Sequence, residues 1–372
     1  MDIEERIPIT KELIDSSLVS LGNLSKLKNV IKKAQNGEKV KIATIGGSIT
    51  QGACATTQDK CWASLTGKWW QDRFKNVEFI NAGIGATGSE LGVHRVYEHV
   101  LKYDVDLVVC EYAVNDTSNQ IYPETFEGLV RQILSYNKDI ACLFIFTMLD
   151  SGNNTEYIHA YIGNHYGIPM ASFKKATLPY IESGTIEAKE LLPDLVHPAD
   201  YGHELLSKFV CNIFEIAQNT TSVEDPAPLP KPLFTNKFDK TTFLTFDKIE
   251  PVANNNWEKT TGNNEFAGWT KSTYKTDKIG SEIEFLVSGT SISLSYIICK
   301  KDMGVAKVQV DNNKEILLSG RFEADWGGYC GFKTIATNLE NTTHKVKITL
   351  TDKKAATSNG NLFEIVALMS TN

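Results

Sequence analysis

Cysteine is scarce and irregularly placed, with seven residues (54, 61, 110, 142, 211, 299 and 330) in 372. The spacings fit neither a disulfide framework nor a structural zinc site. Several fall inside apolar runs, such as Cys110 in LVVCEY, and read as buried free thiols. No apolar run reaches the roughly 20 residues that a membrane-spanning helix needs. Positive charge is also missing. The formal net charge is −7 with the basic residues scattered, which argues against nucleic acid or an anionic membrane as partner. The first ten residues, MDIEERIPIT, are acidic where a leader would be basic, and no apolar segment follows. A cytoplasmic location is therefore expected. There is no internal repeat. What is present is ordinary: 42% apolar and 22% charged residues, a soluble globular chain long enough for two domains.

The two halves differ in pattern. Over 38–218, short apolar runs alternate with amphipathic stretches. The expected strands are KVKIATI (39–45), VEFINAG (77–83), DLVVCEY (106–112), ACLFIFTML (141–149) and PMAS (169–172). Their nearly continuous apolar character suits strands covered on both faces. Helical patterns lie between them, at 61–74, 90–103, 123–137, 155–167 and 200–218, and a further helix is expected to end at Gly37. Pro123 sits just inside a helix start, where its missing N–H costs nothing. This alternation predicts parallel strands joined by right-handed crossovers, hence a three-layer α/β/α domain over 1–223. The stretch EDPAPLPKP (224–232) holds four prolines and reads as a stiff linker. Residues 233–372 carry period-two alternation, Asn/Gly/Asp turns and no strong helical pattern. They predict an antiparallel β-sandwich.

Chemistry-bearing residues concentrate at the ends of the first three strands. Ser48 follows a strand directly, after Gly46 and Gly47 and before Gly52. Glycines there permit a sharp turn and close substrate approach, and functional groups gather at the carboxyl ends of parallel strands. A serine hydroxyl needs a base within hydrogen-bond reach to act as nucleophile. The base candidate is His197 in PDLVHP, with Asp194 three residues earlier to orient it. His94, His99, His159, His165, His203 and His344 lack a carboxylate at that spacing. An oxyanion needs fixed donors. The Ser48 N–H, a backbone N–H of the Gly83–Gly85 loop and the Asn115 amide are the candidates. In NAGIGATGS, Gly85 and Ala86 both fit the loop donor, and Gly85 is the choice. Each motif by itself also reads as an ordinary turn.

In this order the motifs resemble those of the SGNH (GDSL-type) hydrolase superfamily. The serine block corresponds to Ser48, the glycine block to Gly83–Gly85, the Asn-Asp block to Asn115–Asp116, and the Asp-x-x-His block to Asp194 and His197. Gly47 replaces the Asp that usually precedes the serine, and Ala113 replaces a Gly of the third block. Both are similar to variants of carbohydrate-acting branches. The resemblance implies a serine esterase without metal or organic cofactor.

The sandwich adds a carbohydrate expectation. FEADWGGYCGF (322–332) places Trp326 and Tyr329 around two glycines, as a sugar-stacking loop would. Trp257 and Trp269 fit either that role or the sandwich core. The domain order resembles the two-domain acetylmannan esterases of carbohydrate esterase family seventeen, whose sandwich is jelly-roll and carbohydrate-binding-module-like. The implied partner is an acetylated oligosaccharide, with Trp326, Tyr329 and Gly47 in contact with it. An acetylxylan or general short-chain esterase is the alternative reading. A carbohydrate-binding protein with an inactive hydrolase domain is the third.

Overall fold

The computed structural model describes residues 2–372 except 120, 222–224, 226–227 and 263. The chain divides into two compact units, Met1–Asp239 and Lys240–Asn372.

In the first unit, short helices α1 (Ile3–Arg6) and α2 (Lys11–Ser16) precede strand β1 (Leu18–Ser20) and helix α3 (Ser25–Gln35). The alternating region follows: β2 (Val40–Gly46), α4 (Ser48–Gln51), α5 (Trp62–Arg73), β3 (Val77–Gly83), α6 (Ser89–His99), β4 (Leu107–Glu111), α7 (Ile121–Tyr136), β5 (Ala141–Phe146), α8 (Glu156–His165), β6 (Met170–Ser172), α9 (Phe173–Glu182), α10 (Ala188–Leu191) and α11 (Asp200–Asn219). The sheet order is β1-β6-β5-β4-β2-β3, with β2 to β6 parallel and β1 antiparallel at the edge.

Alternate residues of each strand enter two separate cores. Ile42, Leu107, Val109, Leu143 and Ile145 face α3, α5, α9 and α11. Ala43, Ile45, Val108, Cys110, Phe144 and Phe146 face α6 and α7. Both faces are covered, which is why these runs look continuously apolar in sequence. The longest helix, α11, buries Leu206, Phe209, Val210, Ile213, Phe214 and Ala217 at helical spacing. Phe214 packs against Trp69 and Trp70 of α5, with ring centroids 5.2 and 5.3 Å apart. Each such fully buried side chain contributes about 1.5–3 kcal/mol.

All five expected parallel strands are present. The three-residue β1 and the helix α9, which contains Pro179, are not foreseen by the sequence pattern. The division between units also falls later than the sequence places it, at 239/240 instead of 232/233. The reason is a set of contacts with α7. The Glu127 carboxylate accepts the N–H groups of Leu233, Phe234 and Thr235. Arg131 grips Asp239 through two bonds of 2.7 and 2.8 Å, and Phe238 joins the core. The expected linker residues 224, 226 and 227 lie outside the described residues.

The second unit is an antiparallel sandwich of β7 (Thr241–Thr245), β8 (Ala253–Asn255), β9 (Glu258–Thr261), β10 (Ser272–Thr276), β11 (Glu282–Gly289), β12 (Ser291–Cys299), β13 (Gly304–Val310), β14 (Ile316–Ser319), β15 (Gly328–Ala336), β16 (Thr342–Lys354) and β17 (Phe363–Thr371). One sheet runs β15-β12-β17-β10-β9, with β7 also on β17, and the other β14-β13-β16-β11-β8. Alternate residues such as Ile283, Phe285 and Val287 fill the space between them. Trp257 is buried in that core, and Trp269 packs on Phe243, so both hold the sandwich together instead of presenting a sugar platform. Trp326 is 60% exposed, with Phe322 and Tyr329 at 4.4 and 5.5 Å.

Candidate active site

The parallel strands in the order β3-β2-β4-β5-β6 reverse direction of growth between β2 and β4. In open α/β sheets that switch point leaves a crevice beyond the carboxyl ends of the strands. Ser48 stands at the end of β2, and Asn115 follows β4. The two motifs therefore flank the crevice by topology alone.

Ser48 opens the four-residue helix α4, so its N–H has no carbonyl one turn earlier. The two glycines before it have distinct steric reasons. A Cβ on Gly46 would lie 2.1 Å from Thr50 Oγ1 and 2.4 Å from the Glu111 carbonyl oxygen. A Cβ on Gly47 would lie 2.1 Å from Asn115 Oδ1. The third-block amide thus occupies the space that a side chain at 47 would need here. Arg95 reaches through the sheet end from α6 and donates to the carbonyls of Gly46 and Ala82, at 3.0 and 2.7 Å.

His197 and Asp194 arrive from the turn before α11. His197 Nε2 is 2.7 Å from Ser48 Oγ, and His197 Nδ1 is 2.6 Å from Asp194 Oδ2. The second Asp194 oxygen accepts the N–H groups of Val196 and His197, at 3.0 and 2.7 Å. Burial opposes the Asp194 charge, but these N–H groups and the ring outweigh it and bring its pKa down to about 2. An ionised Asp194 fixes the tautomer with Nδ1–H donating to it, leaving Nε2 free to accept the serine proton. Leu195, between them, is exposed and has φ of +72°. A left-handed non-glycine residue of this kind marks a turn that its surroundings hold in place. Asp150 N–H bonds the Leu195 carbonyl at 2.9 Å.

The oxyanion candidates are placed less uniformly. Asn115 lies against Gly47, its Oδ1 buried and without a hydrogen-bond partner. Its backbone N–H closes a turn onto the Tyr112 carbonyl. Asp116 anchors it, accepting Ser89 N–H at 2.7 Å and His159 Nε2–H at 3.0 Å. Gly85 lies beside the serine, an added Cβ falling 3.7 Å from Ser48 Cβ. Its N–H, however, donates to Gln51 Oε1 at 2.8 Å. The Gln51 amide therefore occupies the donor that the sequence assigns to the oxyanion. Ala86 adopts φ of +56° next to it.

Several positioning residues are invisible in the motif pattern. Asp200 accepts Thr56 N–H and Oγ1–H at 2.8 and 2.7 Å, tying the loop after the serine helix to the start of α11. His203 accepts Trp62 N–H at Nδ1 and donates from Nε2 to the Ala53 carbonyl. Burial keeps its pKa low, in accord with that neutral tautomer. His159 and His344 do have carboxylate partners, Asp116 and Asp311, supplied by distant segments. Cys54, exposed and at φ +63°, has its Sγ 3.5 Å from Asp194 Oδ2. Cys54, Asp194 and His197 form, among the described residues, one cluster with metal-type donors within 4.8 Å of each other, although the sequence spacing suggests no such set. Trp326 and Tyr329 belong to the second unit and Gly47 to the first.

Residues 44–205 match the GDSL-like Lipase/Acylhydrolase family. No curated protein matches the chain. Among solved structures, the chain is similar to a two-domain esterase (CEX) active on acetylated mannans, co-crystallized with mannopentaose. The identity is 29% over 96% of this chain and 98% of that one, with a TM-score of 0.88. A second structure of that esterase gives 29% identity, the same coverage and a TM-score of 0.89. Axe2, an acetylxylan esterase from Geobacillus stearothermophilus, shares 18% identity over 48% of this chain and 95% of its own, with a TM-score of 0.40. Residues 44–205 are thus a GDSL-like lipase/acylhydrolase domain, and the protein is a carboxylic ester hydrolase.

Proposed function

We propose that the protein is a serine carbohydrate O-acetylesterase that removes acetyl groups from hemicellulose oligosaccharides, first among them fragments of β-mannan. The observation that carries the chemistry is the continuous relay from Ser48 Oγ through His197 to Asp194, with bonds of 2.7 and 2.6 Å. The observation that carries the substrate is the likeness to the acetylated-mannan esterase across both units, 96% of this chain.

In this reading Ser48 Oγ attacks the acetyl carbonyl carbon while His197 Nε2 takes its proton. Asp194 holds the imidazolium that forms. The Ser48 N–H, the Asn115 amide and the Gly85 N–H, once Gln51 releases it, receive the oxyanion. Collapse breaks the bond to the sugar oxygen, which takes the proton back from His197. Water, deprotonated by His197, then attacks the acetyl-enzyme and releases acetate. Trp326, with Phe322 and Tyr329 packed beside it, offers an exposed aromatic face of the kind that stacks on sugar rings. Seven free cysteines, six of them buried, suit a reducing compartment, and we place the activity in the cytoplasm. Among the described residues no helix is long and apolar enough to cross a membrane.

The test is acetate release from acetylated glucomannan and acetylated xylo-oligosaccharides by wild type and Ser48→Ala. Release from mannan fragments, lost by at least about 10³-fold in the variant, is expected. Equal release by Ser48→Ala would overturn the mechanism. Preference for xylan fragments would overturn the substrate, and tight sugar binding without turnover would favour a binding protein.

A further inference from the structure

Glu111 is fully buried at the last position of β4, yet the ester chemistry does not use it. Its carboxylate has two hydroxyl donors. Thr50 Oγ1–H bonds Oε2 at 3.1 Å, and Thr147 Oγ1–H bonds Oε1 at 2.7 Å. Thr50 lies two residues after Ser48 in the same short helix, so the carboxylate holds the turn that carries the serine. Thr147 links the same group to the end of β5. Burying a carboxylate is costly unless it is fully bonded, and an apolar residue would fill the space with less penalty.

We propose that Glu111 is a positioning residue for the nucleophile turn, and that its ionised form is the one that holds Ser48 in register with His197 and Asn115. This rests on the reading of Ser48 as nucleophile. Both hydrogen bonds to the carboxylate are donated by threonine hydroxyls. Adding a proton to Glu111 therefore forces a threonine hydroxyl to turn and accept, which disturbs the serine turn through Thr50. Rearrangements near 1 Å at a reacting group cost about 10²-fold in rate. The faces around the carboxylate supply hydroxyls from α4 and from the residue after β5. The charged neighbour acting on it is Asp116, itself paired with buried His159. Burial above all, with Asp116 adding to it, raises the Glu111 pKa to about 7. Titration then falls inside the working range of an esterase.

The linkage has a distinctive sign. Between the ordinary carboxylate range and about 7, the folded state keeps a proton that the unfolded chain has lost. The Glu111 contribution to stability thus declines as pH rises through that window, while activity increases.

The experiment compares wild type, Glu111→Gln, Thr50→Val and Ser48→Ala on an aryl acetate from pH 5 to 9, with melting temperatures at each pH. In wild type, protonation of Glu111 adds to the fall of log kcat on the acid side, with a midpoint near its pKa of about 7. Glu111→Gln is expected to lower kcat at pH 8 at least tenfold with KM within twofold. It also removes that added slope and flattens the wild-type fall in melting temperature across the window. Thr50→Val removes a bond to the charged form and is expected to move the Glu111 midpoint to higher pH. If Glu111→Gln does not fold, that upward shift in Thr50→Val decides the matter, and its absence overturns the proposal. Wild-type kcat and slope in a folded Glu111→Gln protein overturn it too. A fully active Ser48→Ala would instead refute the nucleophile assignment on which it rests.

Discussion

Adding one methyl group at position 47 isolates what the Asn115 amide contributes. Gly47 has φ of −86° and ψ of −148°, just beyond the extended region that alanine prefers, so Gly47→Ala adds a small backbone cost to a larger steric one. The new Cβ would lie 2.1 Å from Asn115 Oδ1 and 2.8 Å from its Cγ. A normal carbon–oxygen contact is over about 3 Å, so one side must retreat by about 1 Å. The serine turn is held by Glu111 and by Arg95 at the Gly46 carbonyl. The Asn115 backbone is held through Asp116. The Asn115 side chain, whose oxygen has no hydrogen-bond partner, is the part free to turn. Losing one oxyanion donor costs about 10²–10³ in kcat, or about 2.7–4 kcal/mol. Gly47→Ala is expected to lose about 10²-fold in kcat on an aryl acetate with an unchanged KM. The double-mutant cycle with Asn115→Ala then shows little further loss, since both changes remove the same donor. A Gly47→Ala enzyme within threefold of wild type would refute the reasoning. So would a full additional penalty in the Asn115→Ala background.

Four more outcomes follow from the site. Asp194→Asn is expected to lower kcat by about 10⁴-fold, because the imidazole loses its tautomer partner. With the Asp194 pKa near 2, the contribution of its hydrogen-bonded carboxylate to stability is present above the ordinary carboxylate range and is lost only as pH falls toward 2. Acid melts of wild type and Asp194→Asn should therefore diverge above about pH 4 and converge near pH 2. Gln51→Ala frees the Gly85 N–H and is expected to raise kcat/KM by about 2–10-fold, the worth of one neutral hydrogen bond. A fall in kcat/KM would show that Gln51 helps to hold the turn. N-ethylmaleimide is expected to inactivate wild type and spare Cys54→Ala, since the bulky adduct would stand against Asp194. Burial and Asp194 raise the Cys54 pKa, so inactivation quickens at alkaline pH. Trp326→Ala is expected to raise KM for acetylated oligosaccharides several-fold while leaving aryl acetate hydrolysis unchanged; equal KM on the oligosaccharides would remove Trp326 from the substrate site.

The sequence by itself determined the layered α/β unit, the sandwich and the residues of the relay. Strands such as Ala141–Phe146 are buried on both faces, so their apolar runs are uninterrupted and readable. Ser48, Asn115 and His197 follow strands or precede a helix in short motifs, where local chemistry leaves a local signature. The boundary at Asp239 was not legible, because its cause is a set of bonds from Glu127 and Arg131 over a hundred residues away. Trp257 could not be told from a ligand platform in sequence, because an aromatic ring carries no mark of the face it will pack on. Only the tertiary structure decided that Gln51 occupies the Gly85 donor, that Asn115 excludes a side chain at Gly47, and that Glu111 lies under the serine turn. These are contacts between segments brought together by the sheet, with distances of a few ångströms set by packing. Periodicity and spacing fix which elements form and in what order. The hydrogen-bond partners at their ends are fixed by how those elements meet.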